Sequence, residues 1–420
     1  MVIVLDRSGS MSNTIRKEEP KFRFNPDASA FSKGFGYTKS NFEYTKSIGS
    51  KCTNITQESN TKMKHAINST IKFIQMLSPK DIFGVVVFDD VAVNVQNLTH
   101  ILPENMNSII DNIRAIYSGG CTNISQALQM AREMITEEYL KNYNCKIIVL
   151  SDGQANSGIL NADDFATLTL KYLQDGITVS ALGIGYDYDS KVMNSIATGG
   201  GGLFYHAEEL EKLNDIFKGE LELSNIVKAK NVKLILEVPE LIEVGANMND
   251  YKQTITDRNI EVYIGDIVNS RSVFFEIRNN FVDTDVLFNI EVSYQTVEEN
   301  NCAVRISRKL TVVDSKEKLQ EFPRNQSIIN DVLSLIKHRT FCETSDLYEK
   351  GKTEELKEMF STSINYVHHL SQSYSLNEGD NSAVTGTLDA LTDLNTTYVS
   401  DNVSKSFTKN LYAQSARNLK

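Results

Sequence analysis

The first half of the chain predicts an α/β fold, a doubly wound and mostly parallel sheet, and three observations carry that prediction. Mostly apolar segments at residues 2–5, 82–88, 145–150 and 177–182, the first an unbroken and mainly β-branched run, are short enough to be strands and apolar enough to be buried. Between them lie segments whose apolar residues recur at three- and four-residue spacing. Strands alternating with helices of about 10–15 residues are the pattern of βαβ units, which assemble into a parallel sheet.

Residues 2–5 form the first strand. A helix begins at Thr61, where Met63, Ile67, Ile71, Ile74 and Leu77 line one face and Ser78-Pro79 stops it. After strand 82–88, Asp89-Asp90 turns the chain into an antiparallel edge strand at 91–98. Helices follow at 105–116 and 124–138, a strand at 145–150, a helix at 162–173, a strand at 177–182 and a helix at 190–197. Four glycines at 199–202 turn the chain into a short strand, 203–206, and a helix at 210–221 closes a domain assigned to residues 1–223.

Near residue 225 the period changes to two. Val232, Leu234, Leu236 and Val238, then Val262 and Ile264, Val273, Phe275 and Ile277, residues 287–292, and Val304 and Ile306 alternate with polar neighbours. This predicts an all-β sandwich over 225–314. From Ser327 the helical period returns through Ile328, Val332, Leu335, Leu356, Phe360, Ile364 and Val367, giving a C-terminal helical region over 316–420. Its final stretch is polar, with one weak helical patch at 384–394, and is expected to be flexible.

Composition excludes several classes of function. The 420 residues carry 43 Lys+Arg against 54 Asp+Glu, a net charge of −11. Nucleic-acid affinity comes from neutralising phosphates, so so acidic a chain is a poor candidate for it. No apolar run approaches the roughly 18–20 residues that cross a bilayer. Cys52, Cys121, Cys145, Cys302 and Cys342 are scattered with no Cys-x-x-Cys pair, which removes RING, zinc-ribbon and thioredoxin readings and fits reduced thiols in a cytoplasmic protein. No basic segment followed by an apolar stretch and a cleavage site is visible, so the Asn-x-Ser/Thr sequons, at Asn54 and Asn68 among others, carry little weight. Met1 opens directly into a core strand, which suggests a sequence shortened at its start.

The chemistry gathers at strand ends. Asp6-Arg7-Ser8-Gly9-Ser10 follows the first strand, and open α/β sheets bind ligands outside the carboxyl ends of their strands. Asp6, Ser8 and Ser10, at alternate positions on a tight loop, can converge on one cation. Thr122, in Gly119-Gly120-Cys121-Thr122-Asn123, and Asp152, in Ser151-Asp152-Gly153, offer two more oxygens at matching strand ends. Carboxylates and hydroxyls are hard ligands that suit Mg²⁺, with Mn²⁺ or Ca²⁺ as alternatives, rather than zinc or copper. The competing reading is that these side chains only cap turns and helix N-termini.

Taken together, Asp6-x-Ser8-x-Ser10, Gly-Gly-x-Thr122-Asn and Ser-Asp152-Gly resemble the metal-ion-dependent adhesion site of the von Willebrand factor type A domain, also seen in integrin inserted domains. The resemblance covers residues 1–223, with all three parts in order. It implies a Rossmann-like domain in which Ser8 and Ser10, and Thr122 once a ligand is bound, touch a Mg²⁺ directly while Asp6 and Asp152 act mostly through water. It also implies a protein partner that supplies an Asp or Glu to the open metal position, and coupling to movement of the last helix, here 210–221. The interval from Asp6 to Thr122 exceeds the family's by roughly residues 12–60, an insertion with eight Lys/Arg against five Asp/Glu and seven Phe and Tyr between Phe22 and Tyr44. Such a segment is either a loop that selects the acidic partner or an idiosyncratic addition.

Enzyme readings fare worse, and none is expected. A haloacid-dehalogenase-type phosphatase needs a second Asp two residues after the first, where this chain has Ser8. Gly183-Ile184-Gly185 and the glycines at 199–202 match no phosphate-binding spacing and read as turns. His368 and His369 are adjacent on a helix and cannot face one ion. The layout of a type A domain followed by a sandwich and helices is also similar to inter-alpha-trypsin-inhibitor heavy chains and to plant ubiquitin ligases. The alternative function is therefore a substrate-recognition or scaffold part of a ligase whose RING region is absent from this chain, by fold-level analogy.

Overall fold

The computed structural model describes residues 1–14, 61–207, 212–240, 242–279, 285–296, 300–313, 315, 318, 325–373, 382–400 and 403–420. The insertion expected at 12–60 therefore lies outside the described residues from position 15 onward, as do the first two residues of the helix expected at 210–221. Contacts divide the chain into two compact units, one holding the α/β region and the antiparallel sheets, the other the C-terminal helices.

In the first unit, β1 (Val2–Asp6), β2 (Ile82–Phe88), β3 (Ala92–His100), β4 (Cys145–Ser151), β5 (Ile177–Ile184) and β6 (Gly201–Ala207) form one sheet in the order β3-β2-β1-β4-β5-β6. All neighbours are parallel except β3, the antiparallel edge strand the sequence predicts. Strand order reverses between β1 and β4. Register sets Asp6 beside Phe88 and Leu5 beside Leu150, so the carboxyl ends of β1 and β4 finish level with each other. That pair of ends is the topological switch point where doubly wound sheets hold their ligands.

The connecting helices are α1 (Lys62–Met76), α2 (Met106–Arg114), α3 (Ile124–Met134), α4 (Glu137–Asn142), α5 (Ala162–Gln174), α6 (Ser190–Gly199) and α7 (Lys212–Asn225). The single helix expected over 124–138 is two. Buried Ile135 adopts an extended backbone (φ −91°, ψ 100°), and a new helix starts behind Thr136 with Glu137 and Glu138 in its first turn. On one side of the sheet Ile3, Leu5, Phe83, Val85 and Val87 meet Ile67, Ile71, Phe73 and Ile74 of α1 and Phe217 of α7. Phe73 centres this core, its ring 5.1 Å from that of Phe217 and 6.1 Å from that of Phe83.

The period-two half forms a five-stranded antiparallel sheet from β7 (Ala229–Glu237), β9 (Lys252–Thr256), β10 (Asn259–Ile267), β12 (Val286–Thr296) and β13 (Asn301–Leu310), and a two-stranded one from β8 (Ile242–Asn247) and β11 (Phe275–Asn279). One apolar cluster takes residues from both, including Leu236, Val262, Phe288 and Ile242. The α/β and β regions, which the sequence separates at residue 225, pack as one unit. Asp250 accepts hydrogen bonds from Asn194 (3.1 Å) and Thr198 (3.2 Å), Asp266 accepts one from Thr178 (3.1 Å), and a Cβ on Gly265 would lie 3.3 Å from the Gly201 Cα.

The second unit contains α8 (Gln326–Glu349), α9 (Thr353–Ser373), α10 (Ser382–Val399) and α11 (Lys405–Asn418) around Phe341, Phe360, Val367, Leu391, Leu394, Tyr398 and Leu411. Where the sequence suggests a flexible end with one weak helical patch, the chain forms α10 and α11. The reason is side-chain size and bonding. These helices bury Thr387, Ala390, Thr408, Ala413 and Ser415, small or hydroxyl-bearing residues that read as polar in a one-dimensional pattern. The Thr408 hydroxyl satisfies itself on the Ser404 carbonyl one turn back (3.3 Å). Among the described residues no helix is long and apolar enough to cross a membrane.

His338 of α8 is buried with Nδ1 3.3 Å from the Ser415 hydroxyl, and burial pushes its imidazole down to about 3 from an ordinary 6.5, with Lys337 adding to the effect. The native state thus binds fewer protons than the unfolded chain between these values. Its contribution is complete above about pH 6.5 and is lost as pH falls toward 3. Hydrogen exchange, corrected for intrinsic rates, should show α8 amides opening more readily at pH 5 than at pH 7.5, and His338→Gln should remove most of that difference.

Candidate metal site

The site is built at the level ends of β1 and β4. Arg7 leaves β1 still paired with β2, its N–H bonded to the Phe88 carbonyl at 2.8 Å. The chain then tightens into a 3₁₀ turn, Gly9–Ser12, which returns the two serine side chains over the strand end. Ser8 N–H donates to Asp6 Oδ1 at 2.7 Å, and the Ser8 and Ser10 hydroxyl oxygens lie 3.0 Å apart. Ser10 donates to Asp152 Oδ1 at 2.7 Å, and Ser151 donates to Asp6 Oδ2 at 2.6 Å. Four of the five residues predicted from sequence are therefore joined by one continuous set of hydrogen bonds, with Ser151 closing it.

Thr122 arrives on a separate loop, between α2 and α3 rather than at the strand end expected from the sequence. Gly119 N–H bonds the Arg7 carbonyl at 2.7 Å and Gly9 N–H bonds the Gly120 carbonyl at 3.1 Å, so the two loops are stitched through their backbones. Gly120 has φ +81°, and a Cβ there would meet Asp90 Oδ2 at 2.7 Å and Asp89 Cβ at 2.9 Å; only glycine fits. Asn156 then clasps Thr122 from both sides, Oδ1 accepting from its N–H (2.8 Å) and N–H donating to its carbonyl (3.1 Å). A Cβ on Gly153 would stand 3.5 Å from Ser10 Oγ and 3.6 Å from Thr122 Oγ1. The hydroxyls of both loops thus face the same bare glycine. Around them Arg7 pairs with Asp89 at 2.8 Å, its guanidinium carbon 5.7 Å from the Tyr117 ring centre.

Asp6 and Asp152 are both fully buried. Burial pushes the Asp6 carboxyl up to about 6 from 3.8; the Asp152 charge adds to the rise, while hydrogen bonds from Ser151 and Ser8 oppose it. Among the described residues no three His, Cys, Asp or Glu side chains gather where they could hold a metal. A cation here would have to use hydroxyls, and Ser8, Ser10 and Thr122 supply them with two carboxylates behind. That donor set fits a small hard cation.

Two participants were not foreseen. Ser151 belongs to the Ser-Asp-Gly motif and holds Asp6 rather than merely preceding Asp152. Lys62, the first residue of α1, is buried and places Nζ 2.7 Å from Asp152 Oδ2. The available signal for it is electrostatic: a lysine at the positive end of a helix dipole, with no acid in that first turn, calls for an anion from elsewhere.

A mostly parallel sheet ending in this loop set defines an α/β domain of the Rossmann-like kind, and residues 51–219 match the von Willebrand factor type A domain family. The chain carries a von Willebrand factor type A domain. It is similar to the uncharacterized protein YfbK of Escherichia coli (25% identical over 174 residues, 41% of this chain and 30% of that one). It is also similar to mouse inter alpha-trypsin inhibitor heavy chain 4 (26% identical over 151 residues, 34% of this chain and 16% of that one). The match thus spans less than a third of either relative. Two solved structures share the fold across 94% of this chain. One is a von Willebrand factor type A protein from Catenulispora acidiphila, with a TM-score of 0.62, 15% identity and 88% of that chain covered. The other is the ArnB paralog VWA2 from Sulfolobus acidocaldarius, with a TM-score of 0.53, 17% identity and 87% covered. At those identities they speak for the fold alone.

The raised Asp6 carboxyl has a definite sign. Without metal, the native state holds its proton to higher pH than the unfolded chain does, so the stability it contributes is complete below about pH 4 and lost as pH rises through about 6. The difference corresponds to about 3 kcal/mol at neutral pH. In EDTA, the stability of Asp6→Asn relative to wild type should rise by about that amount between pH 3.5 and 7.5, as read by urea denaturation at each pH.

Proposed function

We propose that this chain is a non-enzymatic, metal-dependent protein-interaction module whose working site is the carboxyl end of β1 and β4. The observation that carries the reading is the run of oxygens from Ser151 through Asp6, Ser8 and Ser10 to Asp152, ending beside Thr122 over an open glycine. Ser8, Ser10 and Thr122 would hold a Mg²⁺-type ion directly, and Mn²⁺ or Ca²⁺ suits the same oxygens. Asp6 and Asp152 would act from behind, orienting the serines and fixing waters. When bound, the ion supplies Lewis acidity toward a carboxylate from outside the chain.

The residues divide that work by charge. The hydroxyls of Ser8, Ser10 and Thr122 are neutral, with Ser10 the more accessible of the three, while the buried carboxylates are already occupied by N–H and O–H donors. A cation held mainly by neutral groups keeps an appetite for one more anion, so the reading assigns the partner an Asp or Glu side chain. The chain's net charge of −11 works against acidic partners at large and favours one presented to this opening.

Mg²⁺ and Mn²⁺ titration calorimetry, with thermal melts in EDTA and in excess metal, tests the reading on wild type, Asp6→Ala and Ser10→Ala. Wild type should bind and, at a hundredfold excess over Kd, gain about 2.7 kcal/mol of stability. Both variants should lose the heat and the gain. A wild type with neither signal, or an Asp6→Ala protein that binds as well as wild type, overturns it.

A further inference from the structure

Lys62 occupies a position that ordinary surface lysines do not. Its side chain is 5% accessible, its Nζ lies 2.7 Å from Oδ2 of a fully buried Asp152, and the next anion, Asp187, is 4.0 Å away and mostly exposed. The backbone is arranged to bring it there. Thr14 and Thr61 pair as an antiparallel bridge, Lys62 N–H bonds the Asn13 carbonyl at 3.0 Å, and the Thr61 hydroxyl caps α1 through Lys64 N–H at 3.2 Å. The stem then crosses Gly185, which has φ +73°; a Cβ there would stand 3.2 Å from Lys62 Cε and 3.3 Å from Nζ. Asp152 is thereby shared, Oδ2 held by the ammonium and Oδ1 by Ser10.

We propose that Lys62 is an internal counter-cation of the metal site, a positioning residue that holds Asp152 in place without metal and weakens the site's affinity for a divalent ion. The inference rests on the metal-binding reading above. Two buried carboxylates in one site repel each other and call for positive charge. The ammonium supplies one unit of it permanently, so an incoming dication meets a site already half neutralised and is repelled by a cation that cannot leave. Because the pair is buried, salt screens this repulsion little. By linkage, whatever affinity the lysine takes from the metal equals the stability that the metal-free protein draws from the lysine beyond what the loaded protein does.

The test compares Mg²⁺ affinity and EDTA melting of wild type, Lys62→Gln, Lys62→Met and Lys62→Arg in the full chain, by calorimetry and thermal unfolding. Lys62→Gln keeps a donor for Asp152 without the charge. It should melt lower than wild type in EDTA, recover in saturating Mg²⁺, and bind Mg²⁺ at least about tenfold tighter, equivalent to about 1.4 kcal/mol. Lys62→Arg should stay near wild type. Should the neutral variants not fold in EDTA, recovery of the fold by Mg²⁺ replaces the affinity readout, and no recovery while wild type binds counts against the proposal. If wild type binds Mg²⁺ and the neutral variants bind it equally or more weakly, Lys62 is only a structural strut and this inference fails alone. If neither wild type nor any variant binds Mg²⁺ or Mn²⁺, the metal-binding reading fails and takes the inference with it.

Discussion

Two carboxylates buried side by side at the end of a parallel sheet are the constraint on which the rest of this architecture turns. Asp6 and Asp152 have no access to water, and like charges in such a place are expensive unless each oxygen is met by a donor. The donors come from three parts of the chain: the turn after β1, the end of β4 and the first residue of α1. Each is brought in by backbone pairing rather than by side-chain packing alone, as with Gly9 on Gly120 and Lys62 on Asn13. The fold and the site are therefore one problem, since a slip in strand register would separate Asp6 from Ser151.

The same constraint explains why the site is made largely of hydroxyls. A ring of carboxylates would be far costlier to bury, whereas serine and threonine offer oxygen without charge, and Ser8 and Ser10 bond each other. The loops are braced at their outer edge by Arg7, which links Asp89 to the Tyr117 ring, and by the Asn156 clasp on Thr122.

Much of this was legible in one dimension. β1, β2, β4 and β5 announce themselves as mostly apolar segments, and Asp6, Ser8, Ser10 and Asp152 stand where β1 and β4 stop. Thr122 lies between α2 and α3 and was identifiable as a candidate through its Gly-Gly-x-Thr-Asn motif. What was not legible has physical reasons. Lys62 reads as a solvated lysine because burial of an ammonium depends on a partner ninety positions away in the chain. The break at Ile135 hides because buried isoleucine continues the helical period on both sides. Helices α10 and α11 pack through alanine, serine and threonine, whose hydroxyls bond back along the chain, as Thr408 does, or to a neighbouring helix, as Ser415 does to His338, so a hydrophobicity pattern under-reads them.

The bridge between Thr14 and Thr61 separates two kinds of design freedom. Because the chain departs and rejoins at paired residues, whatever lies between them is a closed excursion, and doubling the length of such an excursion costs only about 0.6 kcal/mol in closure entropy. The clustered oxygens of Asp6, Ser8, Ser10 and Asp152 belong to the frame that strand register fixes. The length of chain between the two paired threonines is set apart from that frame, and a change in it need not disturb the hydrogen bonds on either side.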